Sequence, residues 1–142
     1  LSGKLRRAME LTGMYEAADR HIWSVYRDML KDHLTTVPER PYRVRSDCHA
    51  WSALLLYELP RKWLGVAPAA PGWQEILIAP VPCGLNRCTG QVHTPHGPVT
   101  VSWNTSDGTY RLNFTAPAVP VQVVLPDGRS LRFPRGGSHV IE

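Results

Sequence analysis

The chain has 142 residues, 43% of them apolar and 20% charged, which is ordinary for one or two small globular domains. Its 16 basic and 12 acidic residues are spread along the sequence, so the net charge of +4 is weak evidence for nucleic acid, and we expect no nucleic-acid partner. No apolar run approaches the roughly 18 residues of a membrane-spanning helix, so no membrane segment is expected. The three cysteines mildly favour a reducing, cytoplasmic compartment but leave the localisation open.

The first part of the chain has the periodicity of α-helices. It opens on Leu1 inside a helical pattern, so we expect further residues to precede it in a longer protein. Apolar residues recur at three- and four-residue spacing over residues 15–33, which predicts an amphipathic helix. A shorter amphipathic segment before it ends at Gly13. A glycine at that position suits a helix end, so the two segments predict a helical hairpin.

A third helical segment follows a loop. Ser46 is a candidate N-cap, and the segment from Ala50 to Leu59 is apolar on nearly every side, which predicts a buried helix. Pro60 lacks a backbone N–H group and its ring would clash with the preceding turn, so it should end or kink this helix. The proline-rich residues 67–72 then read as a linker.

From Trp73 onward the apolar residues alternate with period two, which predicts β-strands. Turn sequences separate the alternating runs, so neighbouring strands should pair as antiparallel hairpins. About six or seven strands are expected, enough for a small β-sandwich. The runs are residues 76–78, 99–103, 110–114, 119–125 and 131–133.

Four residues in this second part have side chains that zinc prefers, namely Cys83, Cys88, His93 and His96. Their spacing is looser than that of structural zinc sites, and the two histidines flank a turn that contains Pro95. Hairpin geometry explains these histidines as solvent-facing residues. We therefore expect neither a metal nor any other cofactor.

The stretch TTVPERPYRVRSDCHAWS, residues 35–52, has the composition of a polar site. Glu39 follows a helix end and lies in a loop, where a carboxylate can act as an acid or base in glycoside hydrolysis, although spacing alone favours a solvated loop carboxylate. His49 could donate hydrogen bonds to sugar hydroxyls and Trp51 could cover an apolar sugar face, but each alone fits a packed core residue.

The charged neighbours of these residues have simpler interpretations as well. Asp47 would favour the dipole at the N-terminus of the third helix without binding any ligand. Arg43 and Arg45 are solvated loop charges by default. In a functional site they would donate hydrogen bonds to hydroxyls or position Glu39.

Three segments together resemble the C-terminal part of bacterial α-L-rhamnosidases, glycoside hydrolase family 78. They are LTTVPERPYRVRSDCHAWSALLLYEL, LGVAPAAPGWQEILIAPVP and TGQVHTPHGPVTVSW. The resemblance implies an α+β, multi-part fold: residues 1–66 as the last helices of an (α/α)6 six-hairpin catalytic toroid, residues 67–72 as a linker, and residues 73–142 as a small antiparallel β-sandwich. The family's general acid lies upstream of this chain, so the chain should be inactive alone and need the remainder of the catalytic domain as its partner.

The resemblance also implies an activity, the hydrolysis of terminal α-L-rhamnose from rhamnose-containing glycosides with inversion. Glu39 matches the family's general base, and His49 and Trp51 match positions that line the rhamnose pocket. A rival hypothesis is a non-catalytic carbohydrate-binding or structural β-sandwich module with a helical adaptor. An acidic cluster several helices before Leu1 would favour the enzyme, and a different domain there would favour the module.

Overall fold

A computed structural model describes the backbone of residues 2–39 and 45–142, and the side chains of these residues apart from those at 2–6, 17–22, 25, 51 and 55. The chain divides into two compact units, Leu1–Tyr57 and Glu58–Glu142. The described part of the first unit contains helices and turns, and the strands of the described chain lie in the second unit.

The first unit begins with the two predicted helices, α1 at Ser2–Leu11 and α2 at Tyr15–Lys31. A tight turn joins them, in which Gly13 adopts a left-handed φ of 71°. Glycine tolerates this conformation because it has no Cβ. Helix α2 buries Trp23, whose ring centroid lies 5.5 Å from that of Tyr26. The Tyr26 hydroxyl donates to Ser52 O (3.1 Å), which ties α2 to the third helical segment.

The predicted continuous third helix is wrong. The chain instead forms a 3-10 turn at Ala50–Ser52, a single α-helical turn, α3, at Leu55–Glu58, and a π-helical turn at Leu59–Trp63. The wide π-turn accommodates Pro60, because Leu64 N–H donates to Leu59 O (3.3 Å), five residues back. The segment was also expected to be buried on nearly every side, but the Leu56 side chain is 79% exposed.

The second unit contains eight strands in two four-stranded sheets. The sheet orders are β1-β2-β6-β7 and β3-β4-β5-β8, and every pair is antiparallel except β2 with β6, which is parallel. The fold is thus rich in antiparallel pairs without being wholly antiparallel. The strands are β1 at Val66–Pro68, β2 at Ile76–Ile78, β3 at Arg87–Thr94, β4 at Gly97–Ser106, β5 at Thr109–Ala116, β6 at Val121–Val124, β7 at Ser130–Phe133 and β8 at Gly137–Ile141.

Strand β1 lies where the sequence predicts the end of the helical part and a linker. Strand β1 pairs with β2. One further hydrogen bond, from Ala79 N–H to Gly65 O (2.9 Å), extends this pairing by one residue beyond β1. A three-residue run that ends on Pro68 is too short to show alternation, so no strand could be predicted here from periodicity. The division into residues 1–66, 67–72 and 73–142 stays a prediction.

The core of the second unit confirms the alternation predicted for its central strands. Inward side chains of both sheets are buried, and Trp103 is the largest side chain that is fully buried. Its indole Nε1–H donates to Trp63 O (2.6 Å), so the π-helical turn is fixed to the sheet. The other fully buried apolar strand residues are Ile76, Ile78, Val99, Val101, Leu112, Val121 and Val123.

A comparison of two glycines tests how closely the chain packs at the start of β1. Gly65 and Gly128 both have a left-handed φ, at 78° and 89°, but a Cβ on Gly65 would lie 2.2 Å from Pro80 N, whereas a Cβ on Gly128 would have no neighbour within 4 Å. Gly128→Ala should lower the free energy of unfolding by about 1 kcal/mol through strain alone. Gly65→Ala should cost about 1–3 kcal/mol more through overpacking. Urea unfolding followed by near-UV circular dichroism measures both, and equal losses would contradict the close approach.

Tyr110 provides a pH-dependent test of the core. Burial raises the pKa of Tyr110, and the neighbouring Cys88 raises it further. Below about pH 10, the ordinary tyrosine pKa, both states keep the proton. Above that pH the unfolded chain loses its proton while the folded chain keeps it, so stability falls as the pH rises toward the raised pKa.

Tyr110→Phe should therefore weaken this alkaline loss of stability. Its own cost at neutral pH should be small, because the buried hydroxyl has no hydrogen-bond partner in the described part of the chain. Urea unfolding at pH 8 and above pH 10 gives the comparison. Tyr57→Phe, at a tyrosine that is 58% exposed, is the control and should keep the wild-type loss. An unchanged loss in Tyr110→Phe would contradict the assignment.

Candidate functional site

The stretch around Glu39 lies beside the stretch around His49, within the first unit. The Glu39 N–H group donates to Ser46 O (3.0 Å), and the His49 N–H group donates to Val37 O (2.8 Å). These two backbone hydrogen bonds run in opposite directions between the stretches, as in a short antiparallel ladder. The ladder fixes the register of Glu39 relative to His49, which are ten positions apart in the sequence.

Side chains strengthen this ladder. The Thr36 hydroxyl donates to the carbonyl of Asp47, which lies between Ser46 and His49 in the sequence. Ser46 Oγ donates to Cys48 O (3.0 Å), so it is engaged in the loop and caps no helix. The N-cap prediction for Ser46 is wrong, and the dipole role of Asp47 fails with it, because no helix begins at these residues.

The carboxylate of Glu39 forms a two-point ion pair with Arg45. Arg45 Nη2 lies 2.8 Å from Glu39 Oε1, and Arg45 Nε lies 3.1 Å from Glu39 Oε2. The Glu39 side chain is only 17% exposed, whereas that of Arg45 is 79% exposed. Bidentate pairing of this kind fixes the plane and the rotation of the carboxylate.

The other predicted site residues are placed in part. His49 is half-buried and directly precedes the 3-10 turn, with extended backbone angles. The backbone of Trp51 lies within that turn, but its side chain is outside the described residues, and so is the whole of Arg43. The structure thus brings together Glu39, Arg45 and the backbone of His49. The sequence had offered the pairing of Arg45 only as one of three alternatives.

The four candidate zinc ligands do not converge. Cys88 and His93 are five positions apart on β3, so their side chains point to opposite faces of the sheet, and Cys88 is half-buried while His93 is exposed. His96 Nε2 lies 3.2 Å from Gly72 O. Burial raises the pKa of the Cys88 thiol, which disfavours a thiolate ligand. Within residues 2–39 and 45–142, no three potential ligands cluster as a metal site would require.

The outer face of the second sheet has a shallow groove of about 230 Å³. Neutral hydroxyl and amide side chains dominate its lining, and some are paired across strands, such as Thr115 Oγ1 and Ser138 Oγ at 2.9 Å. The described lining contains two aromatic rings, those of Phe114 and His139, which contact each other with centroids 5.0 Å apart and planes tilted by 31°, and Phe114 is buried. Separately, none of the helices in the described residues is long and apolar enough to span a membrane.

Comparison with solved structures finds α-L-rhamnosidases. The enzyme from Aspergillus terreus superposes on 96% of this chain with a TM-score of 0.83 and 23% identity, and the family 78 rhamnosidase from Bacillus sp. GL1 on 86% with a TM-score of 0.75 and 36% identity. The enzyme from Streptomyces avermitilis, in complex with L-rhamnose, superposes on 97% with a TM-score of 0.76 and 20% identity. The chain spans only 18%, 14% and 17% of the lengths of these three proteins.

Sequence comparison agrees with the structural comparison. The profile of the bacterial α-L-rhamnosidase C-terminal domain matches residues 65–139, which is over half of the chain. A search of curated proteins finds no match. The chain therefore contains a domain of a kind found in glycoside hydrolases. More specifically, the chain belongs to the bacterial α-L-rhamnosidase C-terminal domain family.

Proposed function

We propose that this chain is the C-terminal part of an inverting α-L-rhamnosidase and that Glu39 is its general base. The observation that carries the proposal is the likeness to α-L-rhamnosidases over 86–97% of the chain, well beyond the residues that the family profile matches. The substrate would be a glycoside with terminal α-L-rhamnose. The complex of the Streptomyces avermitilis enzyme with L-rhamnose supports this choice of sugar.

The geometry around Glu39 is suited to the role of a base. Inversion requires one carboxylate that activates water and a carboxylic acid, about 6.5–9.5 Å away, that protonates the leaving oxygen. Glu39 presents a carboxylate that is 17% exposed, so solvent competes little with a water held between it and the sugar. The general acid would come from the preceding part of the protein, and this chain alone would then be inactive.

The surface of the first unit supports further helices packed against it. Large apolar side chains are exposed there at Leu11 (71%), Leu30 (71%) and Leu56 (79%). Burial of apolar surface contributes roughly 25 cal/mol per Å², so such side chains are expected to be covered in the complete protein. We infer that residues 1–66 complete an (α/α)6 toroid, that residues 67–72 link it to the sandwich, and that residues 73–142 form the C-terminal domain.

The rival function, a carbohydrate-binding or structural module, draws on the groove of the second sheet. Sugars usually bind against an aromatic face as well as to polar groups, and of the two rings in the described lining Phe114 is buried and His139 packs against it. The groove therefore supports the rival function less than the stretch around Glu39 supports the enzyme.

The substitution Glu39→Gln in the full-length enzyme tests the general base. It keeps the shape of the side chain but removes the basic oxygen, so kcat on an aryl α-L-rhamnoside should fall about 10²- to 10⁴-fold. An aryl leaving group needs little acid assistance, whereas water must still be activated. Near-full activity in a variant with a normal melting temperature would refute the assignment.

Chemical rescue provides a control for the stereochemistry. Azide should partly restore turnover of Glu39→Gly, because a small anionic nucleophile can take the place of the water and needs no base. Attack from the opposite face would give the β-rhamnosyl azide, which NMR of the product identifies. An α-azide would contradict inversion.

The substitution His49→Ala tests the proposed substrate contact. Loss of a hydrogen bond to a sugar hydroxyl should lower kcat/KM by about 2- to 10-fold, because one neutral contact of this kind contributes about 0.5–1.5 kcal/mol. The steady-state kinetics of His49→Ala and His49→Asn give the measurement, since asparagine can still donate one hydrogen bond. Equal and near-wild-type kcat/KM in both variants would remove His49 from the site.

A further inference from the structure

We propose that Arg45 is the positioning residue of the general base, holding the Glu39 carboxylate in one rotation. This inference rests on the proposed role of Glu39. It goes beyond that role because it assigns a second residue, which need not touch the substrate, to the control of the reaction. The two groups meet through the two-point ion pair at 2.8 and 3.1 Å.

The ion pair is the outermost step of the ladder that joins the two stretches. Arg45 directly precedes Ser46, whose carbonyl accepts the Glu39 N–H group. The backbone of both partners is therefore already in register before the side chains meet. A pair whose backbones are fixed loses less conformational entropy than one formed between two free loops. The bidentate fork adds directional preference that a single point charge would not supply.

The two-point contact of the Arg45 guanidinium group affects how the Glu39 carboxylate can act as a base. Each carboxylate oxygen has two lone pairs, and the guanidinium group uses one on each. The two-point pair therefore fixes the direction in which the other lone pair of each oxygen points. A carboxylate that could rotate freely would present these lone pairs in many directions, and misplacement of a reacting group by about 1 Å can cost around 10²-fold in rate.

The test uses Arg45→Met and Arg45→Lys in the full-length enzyme, with an aryl α-L-rhamnoside as substrate. Arg45→Met should lower kcat about 10²-fold while KM stays nearly unchanged, because the substrate contacts remain. Arg45→Lys restores the charge without the fork and should recover part of the loss. Ethylguanidinium added to Arg45→Ala should also recover activity, since it refills the place of the missing fork.

The matched control is Arg132→Met. Arg132 pairs with Glu75 at 3.1 Å in the second unit, and the exposed fractions of that pair, 71% and 24%, resemble those of Arg45 and Glu39, 79% and 17%. This variant should keep wild-type kcat and KM. An Arg45→Met enzyme with wild-type kcat overturns the inference, and so does a loss of activity that neither lysine nor ethylguanidinium reverses.

A spectroscopic experiment on the chain itself separates this inference from the proposed function. The ¹⁵Nε–H resonance of Arg45 should shift on Glu39→Gln, and that of Arg132 should not. An unmoved Arg45 resonance overturns the ion pair whatever the enzyme does. If Glu39→Gln keeps full activity, the general base assignment fails by itself. If Glu39→Gln is inactive and Arg45→Met is fully active, only the positioning role fails.

Discussion

The buried indole of Trp103 is the contact on which the second unit depends. It fills the centre of the space between the sheets, and its one polar atom is satisfied by Trp63 O at 2.6 Å. The acceptor, Trp63, is the last residue of the π-helical turn, and β1 begins three residues later. An indole N–H buried without a partner would be costly, so the sandwich core and the π-helical turn stabilise each other.

Close backbone contacts extend this dependence along the chain. Gly65 follows the turn and has room for no side chain, since Ala79 and Pro80 lie against it. Gly90 on β3 lies beneath Leu64, whose side chain would be only 2.7 Å from an added Cβ. The close packing just before β1 therefore requires glycine at residue 65, which is also where the family profile begins.

The first unit has a different physical character. Its described residues have few fully buried side chains, and large apolar side chains remain exposed at its surface. Its local order around Glu39 comes from hydrogen bonds between two stretches of loop, not from a core. Such a ladder can hold a carboxylate and an imidazole-bearing residue in register, and it leaves the apolar surfaces for the neighbouring helices that we propose.

The sequence by itself determined the features that depend on local periodicity and on short motifs. Period 3.6 over residues 15–33 and period two from Trp73 onward were enough for α2 and for the central strands, because amphipathic burial follows directly from the spacing of apolar residues. The three segments that resemble bacterial α-L-rhamnosidases were together enough for the family, which the profile and the solved structures confirm.

Tertiary structure decided the features that depend on residues distant in the sequence. Strand β1 forms only because β2 offers it a partner, and the parallel pairing of β2 with β6 joins segments over 40 residues apart. Pro60 could be read as a break, but its accommodation in a π-turn depends on the hydrogen bond from Leu64 to Leu59. The choice of Glu39 as the partner of Arg45 was likewise open in the sequence, since a charged side chain in a loop can pair, bind ligand or face solvent, and only the ladder between the two stretches selects one of these.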